Sequence, residues 1–487
     1  MRCLKNTNKK LLSHQNKLVK FFIKSKINGM LALWQTGTGK TLLAVSIIHC
    51  YINNYIKKKI IIITPASLLI TFKKEVLNFK KISKNNLKQI YFFTYEGFLK
   101  SKINCNNSLI IIDEAQYLKS SQSKKTIKIL KCAQKSNKIL LLSATPFVNN
   151  LYDIEPLMAM IDKRELFNKY IFNKILNDKH LLKNYFNCKI NFYKNDPKKS
   201  LKFFPKKKEI FYPIIMNNKS VRLYNQVNKN STMNNVNNFF DLNKNDKRNF
   251  RSFWNGVRRI SGGNIQKILV LIKFIKNIQN KTPNKKIGLT AHIIKTHTEK
   301  IIIFNHFKKT GSRLIINSLN KNNIKYKIID GSVPKIKRNI IVDQYVNGNI
   351  KVLILSSAGS TGLNLLETGY VFILTPSWNK AEQIQTIARA IRYKSHFNLP
   401  KYKWNVLIIH LLLIQPHEKS KFDLLIKDKI KYENIKKNMV SIDIKMTVDA
   451  LRKQKYIDKF LNKISKFPKK CKKIIKIQNI INKKNEY

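Results

Sequence analysis

Along the first 150 residues the chain alternates short, unbroken apolar runs with helix-like stretches. The runs are MLALW at 30–34, IIIITP at 60–65, IYFFTY at 90–95, LIIIDEA at 109–115 and ILLLSATP at 139–146, and each sits in or beside a turn-forming or polar stretch. A run that is apolar at every position, rather than at every second one, is the pattern of a strand covered on both faces. Strands of that kind belong to parallel sheets joined by helices. A second series begins near residue 300: KIIIFNHF, YKIIDGS, VLILSS, YVFILTP and WNVLIIHLLL, again with helical spacing between them. The fold class predicted is therefore α/β, with two units of similar size, each a parallel sheet flanked by helices, and a cleft expected between them.

Between the two series the periodicity is lost. Residues 168–264 are rich in Lys, Asn and Phe, and NQVNKNSTMNNVNNFFDLNKNDK at 225–247 is close to low complexity, which predicts a helical or flexible insertion. Beyond Gln415 a Lys- and Ile-rich tail follows. The expected division is a first unit at 1–167, the insertion at 168–264, a second unit at 265–415 and a C-terminal extension at 416–487. A chain of 487 residues with 43% apolar content is long enough for two cores.

Charge adds a partner class. With 95 basic and 26 acidic residues the net charge is +69, which favours a polyanion, above all nucleic acid, through phosphate neutralisation. Of the basic residues 83 are Lys and 12 are Arg, and the accompanying Asn and Ile excess is the imprint of an AT-rich coding sequence. Lysine charge is thus partly compositional, and each Arg becomes informative. The six cysteines lack any CxxC pair and read as free thiols in a reducing compartment. The longest apolar run, VLIIHLLLI at 406–414, is interrupted by His410 and is far short of a membrane span, and the N-terminus has no apolar signal core. A soluble, cytoplasmic protein without a membrane partner is the expectation.

The stretch WQTGTGKT supplies candidate chemistry. A strand ending at Trp34, the loop Gln35, Thr36, Gly37, Thr38 and Gly39, and a helix opening at Lys40 would set backbone N–H groups and a helix N-terminus around anionic phosphates. Lys40 would meet the β and γ phosphates and the Thr41 hydroxyl would ligate Mg²⁺. Trp34 stands where the usual phosphate-loop pattern has its first Gly. Beginning 73 residues after Lys40, the pair Asp113 and Glu114 follows four apolar residues. Asp113 would hold the metal and Glu114 would orient and deprotonate the attacking water, as hydrolysis of an NTP requires.

Taken in order, WQTGTGKT, DEAQ, SATPFVNNLYDIEPL, SSAGSTGLNL and QTIARAIR resemble the superfamily 2 helicases and translocases, in particular the Snf2-like branch. The phrases SATPFVNN, PSWNKAEQ and RAIRYKSH look like the poxviral DNA-dependent NTPases, early-transcription-factor helicases and their relatives on cytoplasmic linear DNA plasmids of yeasts. The resemblance spans roughly residues 11–415, less the insertion. It implies two RecA-like domains around an ATP cleft, with ATP and Mg²⁺ as cofactors and nucleic acid, DNA favoured over RNA, as partner. It also implies residue roles: Gln15 contacts adenine; Ser143, Ala144 and Thr145 couple hydrolysis to movement; Thr64 and Pro65 touch the nucleic-acid backbone. Gly359, Thr361, Gly362 and Asn364 match a motif that touches strand and nucleotide. Ala388 and Gln116 stand where many relatives carry Gly and His.

Gln385, Arg389 and Arg392 follow a Q-x-x-x-R-x-x-R pattern that predicts one helix face. A guanidinium fork can bind two phosphate oxygens at once and neutralise charge developing on the γ phosphate, which lysine does poorly. Four further arginines, Arg248, Arg251, Arg258 and Arg259, are expected either on phosphates or as a brace to the first domain. Two functional readings follow. One is an ATP-dependent helicase or translocase in cytoplasmic transcription or replication of a virus-like element; the other is a DNA-dependent ATPase serving as a transcription factor or RNA-polymerase-associated subunit without processive unwinding.

Overall fold

All ten predicted runs are strands, and two further strands complete the sheets. The structure, a computed structural model, describes residues 2–4, 7–54, 58–80, 82–147, 150–193, 203–229, 258, 261–306, 311–356, 363–378, 380–427 and 440–467. The chain divides into two units, residues 1–196 with 455–487, and residues 197–454.

The first unit holds β1 (Gly29–Trp34), β2 (Ile60–Thr64), β3 (Ile90–Thr94), β4 (Leu109–Asp113), β5 (Lys138–Ser143) and β6 (Ile190–Tyr193) in the order β3-β2-β4-β5-β1-β6. Every pairing is parallel. The pleat sends alternate residues to opposite layers: Leu31 and Leu33, Ile61 and Ile63, Ile110 and Ile112 enter one core, while Ala32, Ile62 and Ile111 enter the other. Both layers are closed by helices, including α1 (Ser13–Lys24) and α2 (Lys40–Asn54), so the central strands are apolar through their middles. That is why their runs were readable.

The second unit repeats the plan with β7 (Lys206–Ile215), β8 (Ile301–Phe304), β9 (Tyr326–Ile329), β10 (Val352–Leu355), β11 (Tyr370–Ile373) and β12 (Asn405–Ile414), ordered β7-β12-β11-β8-β10-β9 and again wholly parallel. Ile301 and Ile303 face one core, Ile302 and Phe304 the other.

Three differences from the sequence reading are informative. The segment 168–264 is divided: helices Lys169–Asn177 and Lys179–Phe186 and strand β6 join the first unit, and β7 joins the second. Both added strands are sheet edges, and edges tolerate what a central strand does not, here the KKKE opening of β7 and its Pro213. Next, the C-terminal extension carries a long helix, Ile442–Ser465, which is built into the cores. Ile442 and Met446 are buried in the second unit; Ile464, with Phe460 beside it, packs in the first. Finally, the fold pairs Cys3 with Cys50 and Cys105 with Cys132 as disulfides, at Cα separations of 5.0 and 5.4 Å, where free thiols were expected. Sequence separations of 47 and 27 residues gave no sign of it, because the tertiary packing creates the proximity.

The C-terminal helix is anchored to the second unit by charge. Asp443, in its first turn, meets Lys267 of helix Ile265–Gln279 at 2.5 Å, both side chains excluded from water. Asp443 also accepts from the Ser261 hydroxyl and the Leu413 amide at 2.7 and 2.8 Å, and Lys267 donates to the Leu374 carbonyl at 2.7 Å. Burial lowers the Lys267 pKa, while the Asp443 carboxylate beside it opposes that shift. Removing one partner strands the other charge in the core. Asp443→Ala is expected to cost the second unit roughly 3–5 kcal/mol, and Lys267→Met with Asp443→Leu much less, both measured by urea unfolding.

Candidate active site

In the first unit the motifs lie where consecutive parallel strands end: the phosphate loop after β1, SAT after β5, DEA after β4 and TPA after β2, strands that are neighbours in the order β2-β4-β5-β1. Sequence-distant chemistry is thereby collected at one edge of the sheet.

The loop is shaped by its own contacts. Gly37 and Gly39 take φ of 76° and 85°, a left-handed conformation that side chains resist. A Cβ on Gly39 would also lie 2.2 Å from Gln15 Nε2. Gln15 is buried in α1; its Nε2 donates to the Gly39 carbonyl at 3.1 Å and its Oε1 accepts from the Leu12 amide at 2.8 Å. The Thr38 hydroxyl closes the turn on the Gln35 carbonyl at 2.6 Å. His14, its pKa lowered by burial, lies 3.3 Å from the Thr38 carbonyl through Nε2 and stacks on Tyr193 of β6 at 3.5 Å between centroids. Trp34 is fully buried, and its indole donates to Asn191 Oδ1 at 2.8 Å. The residue that departs from the phosphate-loop pattern thus ties the loop to the edge strand. Lys40 opens α2 with its ammonium 3.1 Å from the Trp34 carbonyl, and Thr41 is half-buried in the same turn.

The acidic turn is equally constrained. Asp113 ends β4, 5% exposed, and accepts from the Glu114 amide at 3.0 Å. Glu114 adopts a left-handed φ of 53°. Beneath it, Tyr95 donates its hydroxyl to the Asp113 and Glu114 carbonyls at 2.8 and 3.1 Å. Burial, then the Asp113 and Glu114 carboxylates, raise the Tyr95 pKa well above its ordinary value, so the donor keeps its proton. Gln116 then joins two motifs: its Nε2 donates to Glu114 Oε2 at 2.6 Å and its Oε1 accepts from the Ser143 hydroxyl at 2.7 Å. Ser143 Oγ in turn receives the Thr145 amide at 3.1 Å. A continuous hydrogen-bonded path runs from the acid to the SAT turn, through an amide that can donate and accept at once. Neither Tyr95 nor Asn191 was singled out by the sequence, since neither lies in a motif.

Other expected positions fare differently. Thr64 is fully buried at the end of β2, with only Pro65 of that pair partly exposed. In the second unit Gly359, Thr361 and Gly362 lie outside the described residues, and Asn364 is exposed. Arg258 is buried, with its guanidinium 3.3 Å from the Pro376 carbonyl; Arg248, Arg251 and Arg259 lie outside the described residues.

The arginine helix needs correction. It runs Lys380–Ala390, so Gln385 and Arg389 are on it, while Arg392 is beyond its end and does not continue their face. The cause is local: the Arg392 amide goes to Ser395 Oγ at 3.3 Å, and its guanidinium Nε takes the Ala388 carbonyl at 3.1 Å, the acceptor the next helical turn would have used. Gln385 is half-buried and Arg389 is 8% exposed. His396, fully buried, fixes the following turn, with Nε2 3.1 Å from the Thr368 carbonyl and Nδ1 3.0 Å from Ser395 Oγ.

Comparison with known proteins gives the family. Residues 14–282 match the SNF2-related domain and residues 284–394 the helicase conserved C-terminal domain. The chain belongs to the SNF2-related family. As a member it is an ATP hydrolase of helicase type. It is 31% identical to the putative ATP-dependent RNA helicase L538 of Acanthamoeba polyphaga mimivirus, across 84% of this chain and 90% of that protein. It is 28% identical to nucleoside triphosphatase I of Choristoneura biennis entomopoxvirus, across 89% and 78%. A solved SWI2/SNF2 ATPase core from Sulfolobus solfataricus, in complex with dsDNA, is 19% identical, covers 93% of this chain and 97% of its own, and has a TM-score of 0.37. Among the described residues no helix is long and apolar enough to cross a membrane.

Two predictions follow from this geometry. Gly39→Ala is expected to weaken ATP binding at least tenfold, measured by titration with a fluorescent ATP analogue, since the loop must abandon both its φ and its contact with Gln15. Burial pushes the His396 pKa from 6.5 down to about 4, so its stabilising contribution is whole above pH 6.5 and is lost as pH falls toward 4. The urea midpoint of the second unit should drop over that interval, and His396→Gln should remove that part of the dependence.

Proposed function

We propose that this SNF2-related ATP hydrolase is driven by nucleic acid, DNA in preference to RNA, and converts each hydrolysis into movement along the strand as part of a cytoplasmic transcription or replication apparatus. The observation that carries the reading is the path Glu114–Gln116–Ser143–Thr145, which links the acid of the hydrolytic site to the turn expected to sense movement. Lys40 and the loop 35–39 hold the triphosphate. Glu114 positions and deprotonates the attacking water, and Gln116 reports the state of that carboxylate to Ser143. Arg389 and Arg392 are the groups assigned to neutralise charge developing on the γ phosphate.

The donors available for a metal fit Mg²⁺. Thr41 offers a hydroxyl and Asp113 a carboxylate, hard oxygen ligands suited to an ion that keeps most of its water and binds chiefly through the phosphates. Among the described residues no cluster of three or more His, Cys, Asp or Glu exists that would form an all-protein cage. Held by Thr41 and Asp113, the ion would supply positive charge to offset that of the phosphates. The preference for DNA is supported by the phrases RAIRYKSH and SATPFVNN, and the net charge of +69 supports a polyanionic partner of either kind. The entomopoxviral relatives are named nucleoside triphosphatases, which supports the hydrolysis common to both readings, the translocase and the second, an ATPase that works beside an RNA polymerase without processive unwinding.

Lys40→Ala should abolish nucleic-acid-stimulated ATP hydrolysis, and Arg392→Ala should lower its rate by roughly 10³-fold or more while nucleotide still binds. Both are read by phosphate release beside an equilibrium nucleotide titration. Robust turnover by the Lys40 variant sinks the assignment. Strand displacement measured alongside separates the two readings: hydrolysis without displacement, with co-purification of an RNA polymerase, selects the second.

A further inference from the structure

The turns that follow Arg392 carry a dense set of exposed rings. Tyr393, Phe397 and Tyr402 expose 40%, 55% and 53% of their surface, and Phe203, on the segment leading into β7, exposes 37%. Lysines are interleaved with them. The Lys394 ammonium lies 5.7 Å from the Tyr393 ring and 4.7 Å from that of Phe397, and Lys403 lies 5.9 Å from Tyr402. Phe203 and Tyr393 are 5.2 Å apart between centroids.

This surface stands on a fixed base. The two chain segments are joined by Lys394 N to Phe203 O at 2.7 Å and Lys206 N to Trp404 O at 2.8 Å. Ser395 and His396 lie buried beneath, and Lys394 is held at a left-handed φ of 59°. A bulky residue in that conformation stores strain of order 1 kcal/mol, and here it turns Tyr393 and Phe397 outward on either side of one ammonium. No acidic residue occurs from 383 to 417 or from 197 to 208, and Lys206, Lys207 and Lys208 are exposed at the start of β7.

We propose that this ring-and-lysine surface of the second unit, Phe203, Tyr393, Lys394, Phe397, Tyr402 and Lys403, binds single-stranded nucleic acid by stacking unpaired bases on the rings while the lysines meet the phosphates. Lysine alone would be uninformative in a chain with 83 of them. The rings decide it: a duplex hides its base faces, whereas an unpaired strand presents them to an aromatic shelf. The proposal deepens the reading of a nucleic-acid-driven ATPase and rests on it.

The test uses the full chain and fluorescence anisotropy with labelled oligodeoxythymidine, oligouridine and a blunt duplex at several salt concentrations. Tyr393→Ala and Phe397→Ala are each expected to weaken binding of the single strands about tenfold, leaving duplex binding and the salt slope unchanged. Tyr393→Phe and Phe397→Tyr should bind as the parent does. Lys394→Gln and Lys403→Gln should instead lower the salt slope, by about 0.7 per lost phosphate contact. Where an alanine variant fails to fold by thermal melting, Tyr402→Ala on its exposed turn carries the same expectation. Alanine variants that bind single strands like the parent overturn the proposal and leave the surface to an acidic protein partner; so does a loss shared by the conservative variants. If the parent binds these strands and its ATPase responds to them while the alanine variants bind unchanged, only the surface assignment falls. If the parent binds no strand, the underlying reading falls with it. The relative loss on the deoxy and ribo strands reports which polymer the shelf prefers.

Discussion

Parallel strands cannot be joined by tight turns, and that constraint organises this protein. Each strand must be followed by a crossover, so every turn leaving a strand's C-terminal end emerges on the same edge of its sheet. In the first unit β2, β4, β5 and β1 are neighbours in that order, and the turns that leave them hold Thr64, Asp113 with Glu114, Ser143, and the phosphate loop. Nothing in local sequence distance brings Lys40 and Asp113 into one site. The sheet order does.

Given that edge, short hydrogen bonds fix the chemistry. Gln15 and His14 hold the phosphate loop from the side of α1, and Trp34 ties it to β6 through Asn191. Tyr95 supports the acidic turn from below, and Gln116 spans the two strand ends. A carboxamide shares with a neutral imidazole the ability to donate to one partner and accept from another, but it has no proton to gain near neutral pH. Gln116 therefore connects Glu114 and Ser143 without contributing a titratable group of its own.

What was legible in the sequence follows the same physics. Central strands buried on both faces leave unbroken apolar runs, and all of them were readable. The two strands missed, β6 and β7, are edges, where half-burial lets INFY and KKKEIFYPII carry polar residues and a proline. The phosphate loop and DEA turn were readable because each is a contiguous run of residue types in a distinctive order. Tyr95, Asn191 and the Lys267–Asp443 pair were not, because any chain can place such residues anywhere and only the packing gives them partners. The spacing of Gln385, Arg389 and Arg392 suggested one helix face. It could not show that Ser395 would divert the Arg392 amide and end the helix early. That serine and His396 hold the turn bearing Tyr393 and Lys394 in place.

The account joins an ATP-hydrolysing edge in the first unit to nucleic acid as its driver, in an SNF2-related chain whose relatives include viral helicases and triphosphatases. The most direct measurement is steady-state ATP hydrolysis by the full chain without polymer and with single-stranded DNA, duplex DNA or RNA, each at several salt concentrations. The account predicts a rate that rises severalfold with nucleic acid, most with DNA, and a stimulation that weakens with salt as phosphate contacts are screened. A rate that is the same with and without every polymer would contradict it.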